Sequence, residues 1–195
     1  SSDQGIALGS HGLMGKQNLY EPSMGVPLIL SGPGIPRGKS SDALVYLFDV
    51  YPTLCELVGT KVPEPLDGKS LVPVIRGKAE QVRDTIFLAY RDVQRAVRQG
   101  RWKLIRYPQV ARTQLFDLQD DPYETKDLSR DAFARGKIAE LLALMQRQQE
   151  MFGDKQPLTV DKPRPAAVDL ELLRKQAAEK AKPRKAKGKA EKQVI

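Results

Sequence analysis

Four short β-prone segments followed by one amphipathic helix constrain the fold of this chain more than any other feature. The segments cover residues 85–90, 93–98, 102–107 and 114–118. Gln99 and Gly100, between the second and third segments, suit the two-residue turn of a hairpin. Apolar residues then recur at helical spacing from Ile138 and end near Gly153, which predicts a helix. Strands followed by a helix predict a small α+β unit.

The pattern upstream of this unit is less regular. Residues 26–30 form a short apolar run closed by a turn, which predicts a buried strand. Apolar residues at helical spacing within 47–58 predict an amphipathic helix, with Asp49 as a plausible N-cap. Residues 60–82 are rich in proline and glycine and are typical of a connecting loop, with one helical turn near 71–75.

The net charge of +8 is concentrated at the C-terminal end. Residues 156–195 carry eleven Lys or Arg and five Asp or Glu, whereas the first 155 residues carry twenty-one and nineteen. The globular part is therefore not expected to bind nucleic acid, and any attraction to polyanions belongs to the tail. Residues 154–195 are rich in proline and lysine, which predicts a largely disordered tail, above all from about residue 182.

No apolar run approaches the roughly 20 residues that cross a bilayer, so no membrane span is expected. The first residues carry no charged-then-apolar leader. The sequence itself gives no direct evidence on the compartment.

The first 25 residues hold the side chains that could carry chemistry. Their glycine content and mixed polarity are typical of a long loop over a ligand site. Asp3 and Gln4 supply adjacent oxygens suited to a hard cation such as Ca²⁺ or Mg²⁺, and Lys16 could return to hold an anion. The alternative is a glycine-rich surface loop without a ligand.

Several segments along the chain form a pattern that goes beyond composition. In chain order they cover residues 2–5, 8–16, 19–21, 26–29, 32–35, 48–54, 66–71, 97–104, 115–118 and 121–124. In this order they resemble the second half of the sulfatase catalytic domain, over roughly residues 1–150. The resemblance implies an α/β, alkaline-phosphatase-like fold. Residues 1–80 would end the main domain, and 81–153 would form a smaller antiparallel sheet-and-helix subdomain.

The resemblance also implies roles for individual residues of the first loop. Asp3 and Gln4 correspond to ligands of a divalent cation, usually calcium, and Lys16 corresponds to the residue that contacts the sulfate. His11, the only histidine, is expected to organise the loop near the site and to contribute to substrate binding rather than to act as acid or base. Gln4 stands where Asn or His is more usual, and calcium tolerates its longer stem better than magnesium would.

The activity that the resemblance implies is hydrolysis of sulfate esters, preferably of sulfated carbohydrates, in a periplasmic or secreted protein. The family nucleophile is a formylglycine made within a Cys/Ser-x-Pro/Ala-Ser-Arg motif. The sequence contains no such motif, and the only cysteine, Cys55, does not match it. The nucleophile is therefore expected upstream of these residues, and the 195-residue chain alone is expected to be inactive.

Two other functions remain open at this stage. A phosphodiesterase or phosphonate monoester hydrolase on the same scaffold would need a similar cation and lysine, because phosphate and sulfate are both tetrahedral. A non-catalytic module that binds polyanions through the lysine-rich tail is the alternative of another class. The upstream nucleophile motif and the number of metal ligands would separate the two enzymes.

Overall fold

In the computed structural model, residues 1–167, 171 and 174 are described, so the disorder predicted from residue 182 lies outside the described residues. Ser1–Arg164 form one compact unit. The domain boundaries expected at 80 and 153 stay predictions. The helices are α1 (Glu21–Met24), α2 (Val50–Leu57), α3 (Val72–Ile75) and α4 (Ala134–Phe152), and 3-10 turns cover Ser10–Gly12, Leu47–Asp49 and Pro108–Val110. The strands are β1 (Thr85–Tyr90), β2 (Gln94–Gln99), β3 (Trp102–Tyr107) and β4 (Arg112–Asp117).

The four strands form an antiparallel sheet in chain order, which confirms the predicted run of strands and its hairpin. The predicted turn was wrong by one residue. Gln99 still belongs to β2 and pairs with Trp102, so the two turn residues are Gly100 and Arg101. Gly100 takes a φ of 54°, a left-handed conformation that glycine adopts without the steric cost of a Cβ.

One face of the sheet packs against α4, whose existence the sequence predicted. Cross-strand neighbours Phe87, Val97, Leu104 and Leu115 form one row across all four strands. They pack with Leu128, Ala134, Leu141, Leu144 and Met145 in a buried cluster. Burying each of the larger side chains is worth roughly 1.5–3 kcal/mol, so this cluster anchors the sheet.

The opposite face of the sheet is also buried, and here the first loop covers it. Because side chains alternate along a strand, Ala96, Ile105 and Phe116 point away from α4. They pack with Leu19, Tyr20 and Leu118. The first loop is therefore attached to the sheet by apolar contacts near the C-terminal end of the loop.

The helix predicted over residues 47–58 is present as a 3-10 turn followed by α2, and Asp49 occupies the predicted N-cap position of α2. The Asp49 side chain does not cap α2, but it accepts the Tyr46 backbone N–H at 2.7 Å and so closes the preceding 3-10 turn. Its buried carboxylate also accepts hydrogen bonds from the guanidinium of Arg83 and from the Lys69 backbone N–H. The apolar side of the helix is largely exposed, at Leu47, Phe48, Tyr51, Leu54 and Val58.

The strand predicted at residues 26–30 is absent, and the segment has no ladder pairing. A strand needs a neighbour to satisfy its backbone N–H and C=O groups, and no described segment lies beside it as a strand. Ile29 is 80% exposed, so the expected burial is not found either. Among the described residues, no helix combines the length and apolar content needed to span a membrane.

Asp154, just beyond α4, forms an ion pair that joins this helix to β2. Its carboxylate accepts hydrogen bonds from Arg95 Nε at 2.5 Å and Gln149 Nε2 at 2.9 Å. The bond from Arg95 is the main reason that the pKa of Asp154 falls from 3.8 to about 2. Because this pKa is depressed, the stabilisation is fully present above pH 3.8 and is lost as the pH falls through about 2.

We expect Asp154→Asn to lower the free energy of unfolding of the chain by about 2 kcal/mol at pH 7. The difference from the unaltered chain should shrink steadily below pH 4. Urea unfolding at pH 7, 4 and 3 measures both effects. Glu140→Gln, which removes an exposed pair on the same helix, is the control and should change stability little. An equal loss for Asp154→Asn at every pH would contradict this assignment.

Candidate functional site

The backbone of the first loop is folded back on itself by two hydrogen bonds. The Gly5 N–H donates to the Ser23 carbonyl at 2.9 Å, and the Ala7 N–H donates to the Gly15 carbonyl at 3.1 Å. A Cβ on Gly5 would lie 1.9 Å from the Pro22 carbonyl oxygen, so only glycine allows this approach. The chain before Gly5 is thereby held against α1, and the chain after Gly15 is brought back towards its start.

The structure brings two of the predicted site residues into direct contact. Lys16 Nζ lies 2.8 Å from Asp3 Oδ2, although the two residues are 13 positions apart. Their side chains are 48% and 81% exposed. An exposed pair of this kind adds little to stability, so both groups remain available to a ligand.

Asp3 and Gln4 line a groove of about 380 Å³ between the loop and the sheet. Glu21 and Arg98 line the same groove, and the Arg98 guanidinium lies 3.3 Å from the Glu21 carboxylate. Lys16 reaches the groove through its contact with Asp3 rather than as part of its lining. The predicted ligand pair therefore faces a cavity that contains both charge signs.

His11 lies against Tyr20 rather than against Asp3 or Lys16. Its ring stacks on Tyr20, with ring centroids 3.8 Å apart and planes 7° from parallel. Tyr20 in turn donates a hydrogen bond to Gln114 at 2.6 Å. This geometry fits a residue that organises the loop, and His11 itself is exposed with a φ of 55°.

The oxygen donors of Asp3 and Gln4 match calcium in kind but are too few to enclose it. Calcium takes six to eight oxygen ligands, and these two side chains offer at most three. Residues 1–167, 171 and 174 contain no group of three or more His, Cys, Asp or Glu side chains that could hold a metal ion. A calcium site built on Asp3 and Gln4 therefore needs further oxygen ligands.

A buried ionic cluster under the loop is the feature that sequence reasoning missed. The Lys103 side chain in β3 is fully buried, and its Nζ lies 2.8 Å from both Glu21 Oε1 and Glu124 Oε1. Glu124 Oε2 also accepts a hydrogen bond from the Glu21 backbone N–H at 2.6 Å. Burial raises the pKa of Glu124, although Lys103 opposes this shift. The only signal in the sequence was a lysine directly before the apolar pair Leu104 and Ile105 of β3.

Comparison with known proteins identifies the family. The family model described as N-sulphoglucosamine sulphohydrolase, C-terminal, matches residues 9–151. N-acetylglucosamine-6-O-sulfatase of Bacteroides thetaiotaomicron is 31% identical over 170 residues, which cover 80% of this chain and 30% of that relative.

Solved structures agree with this match. A protein solved in complex with its substrate, D-glucosamine-2-N,6-O-disulfate, has a TM-score of 0.73 and 28% identity, over 80% of this chain and 34% of that one. Phosphonate monoester hydrolase of Agrobacterium radiobacter has a TM-score of 0.61 and 30% identity, over 75% of this chain and 34% of that one.

The chain thus spans about a third of the length of the proteins it matches. Its antiparallel sheet and helices correspond to the C-terminal part of an alkaline-phosphatase-like fold, as the resemblance implied. With a family match over residues 9–151, the chain belongs to the sulfatase family.

Proposed function

We propose that the protein of which this chain is part hydrolyses sulfate esters, with Asp3 and Gln4 as ligands of a divalent cation and Lys16 as the residue that holds the sulfate. The observation that carries the proposal is the 2.8 Å contact between Lys16 Nζ and Asp3 Oδ2. It means that a cation bound by Asp3 and an anion held by Lys16 would lie side by side.

The chemistry of these residues suits sulfate-ester cleavage. Negative charge builds on the ester oxygen as the S–O bond breaks, and a nearby ammonium lowers the free energy of that charged state. Lysine does this as a flexible point charge, which can follow the sulfate as it changes shape. A calcium ion, when bound, would supply further polarisation of the sulfuryl oxygens. The proposal includes a formylglycine nucleophile contributed from outside residues 1–195, because these residues contain no motif for it.

We further propose a sulfated carbohydrate as the substrate class. Two similar proteins support this choice, one named as an N-acetylglucosamine-6-O-sulfatase and one solved with a glucosamine disulfate. The similarity to a phosphonate monoester hydrolase keeps phosphonate or phosphate ester hydrolysis as the second candidate, since both enzymes are about 30% identical to the chain.

A substrate comparison with the full-length protein tests the proposal. We expect kcat/KM for glucosamine 6-sulfate to exceed that for the phenyl monoester of methylphosphonate by about a hundredfold or more, because a site tuned to the charge of one anion stabilises the other less well. Equal use of both substrates, or preference for the phosphonate, would favour the second candidate. Heparin affinity that is lost on deletion of residues 182–195, without turnover of either ester, would favour the polyanion-binding module.

A further inference from the structure

The buried cluster around Lys103 contains more charge than is needed to neutralise that lysine. Burying an ammonium is costly unless it is paired, and one carboxylate would suffice. The structure instead surrounds Lys103 with Glu21 and Glu124, and Arg98 lies 3.3 Å from the second oxygen of Glu21. Glu124 is fully buried, and Glu21 is 23% exposed. The cluster therefore consists of two cations and two carboxylates. Glu21 contacts both cations, Lys103 and Arg98.

Glu21 is the residue through which this cluster is bonded to the first loop. Its side chain is fixed by Lys103, and its backbone N–H is fixed separately by Glu124. Two bonds in different directions restrict both the position and the orientation of the first residue of α1. α1 then carries Ser23, whose carbonyl accepts the Gly5 N–H two residues after Asp3. A continuous set of contacts thus runs from the sheet to the proposed ligand pair.

Apolar residues could have filled the same space. Replacing a buried ion pair by well-packed apolar side chains is often neutral or stabilising, so such a cluster is weak evidence for a role in stability alone. What charged groups add is directionality, because hydrogen bonds fix angles that apolar packing leaves free. The hydrogen bonds from this cluster to Glu21 fix the orientation of α1 relative to β3.

We propose that Lys103 and Glu124 are positioning residues that set the location of Asp3 and Gln4 by fixing Glu21. This inference rests on the proposed function for its catalytic consequence, but its structural part can be tested in the chain itself. Neither residue touches the substrate. Their effect reaches the site through α1 and the hydrogen bond of Gly5.

Amide hydrogen exchange of the 195-residue chain tests the structural part. In Glu124→Ala, we expect the Gly5 N–H to exchange about tenfold faster or more, while the N–H groups of the sheet core change little. The matched control is Asp154→Ala, which removes a largely buried ion pair from the same sheet without touching the loop. Unchanged Gly5 exchange in Glu124→Ala, or equal acceleration in Asp154→Ala, would overturn the proposal.

Glu124→Gln is a second variant, which keeps the falsifying test available if Glu124→Ala does not fold. Its amide oxygen can still accept from the Glu21 N–H, so Gly5 exchange should lie between that of the unaltered chain and that of Glu124→Ala. If Glu124→Gln exchanges at Gly5 as fast as Glu124→Ala, the bond to the Glu21 N–H does not position the loop and the proposal fails.

In the full-length protein, the same variants separate positioning from general destabilisation. A misplaced ligand pair should weaken calcium binding and lower kcat by about tenfold or more in Glu124→Ala, with Glu124→Gln partly restored and Asp154→Ala near normal. Equal losses in Glu124→Ala and Asp154→Ala would overturn the positioning role. If the full-length protein turned over no sulfate ester, the proposed function would fail, while calcium affinity and Gly5 exchange would still decide the positioning role.

Discussion

Lys103→Ala is expected to lower the free energy of unfolding of the chain by about 3–5 kcal/mol at pH 7. The substitution removes the ammonium that lies 2.8 Å from both Glu21 and Glu124, while the two carboxylates stay close together beneath the loop. Burial already raises the pKa of Glu124, and without Lys103 this pKa should rise further. A raised folded-state pKa stabilises the protonated form, so the deficit should shrink as the pH is lowered.

Urea unfolding at pH 7 and pH 5 measures this deficit and its pH dependence. Lys137→Ala is the matched control, because Lys137 is also paired with a carboxylate, Glu140 at 2.6 Å, but its side chain is 30% exposed. The control should lose no more than about 1 kcal/mol. Similar losses for the two variants would show that burial of the Lys103 cluster has no special energetic consequence.

Lys16→Ala in the full-length protein is expected to raise the activation barrier for sulfate-ester cleavage by about 3–4 kcal/mol, a loss of roughly 10² to 10³ in kcat. The reason is that Lys16 is the one cation in contact with Asp3 in the described part of the chain. An ammonium placed before the reaction stabilises developing charge without reorganising, and alanine leaves that charge to water.

Initial rates on an aryl sulfate measure this effect. Lys61→Ala, an exposed lysine in the loop before α3, is the control and should retain normal turnover. Lys16→Arg keeps the charge but changes its shape, so we expect an intermediate rate. Near-normal kcat in Lys16→Ala would mean that another residue holds the sulfate.

The sheet and α4 could be predicted from the sequence because their local preferences agree with their final environment. Phe87 and Val97 are β-prone, and both end in the same buried cluster. The β2–β3 turn was predicted one residue too early. The sequence shows that Gly100 suits the positive φ of the turn, but it does not show whether Gln99 or Arg101 is the second turn residue.

The errors arose where the fold depends on contacts distant in sequence. Residues 26–30 have the composition of a strand, but strand formation requires a partner that local sequence does not reveal. Asp49 stands at the predicted N-cap of α2, yet its carboxylate pairs with Arg83, 34 residues away, instead of capping that helix. Lys103 gave no indication of its two carboxylate partners, which lie 82 positions before it and 21 after it in the chain.

The candidate site was predictable from the sequence in part. Composition and resemblance both led to Asp3, Gln4 and Lys16, and the contact between Asp3 and Lys16 could be anticipated only as a hypothesis. The role of Glu21 as the attachment point could not, because it depends on how the first loop packs on β3.

Calcium titration of the full-length protein by calorimetry, carried out in parallel for Asp3→Ala and Lys16→Ala, tests the central claim most directly. If Asp3 binds the cation and Lys16 holds the sulfate, Asp3→Ala should weaken calcium binding by roughly tenfold or more, and excess calcium should partly restore its turnover. Lys16→Ala should bind calcium as well as the unaltered protein or slightly better, because an ammonium that competes for Asp3 is gone. Loss of calcium affinity in Lys16→Ala, or normal affinity in Asp3→Ala, would contradict the account.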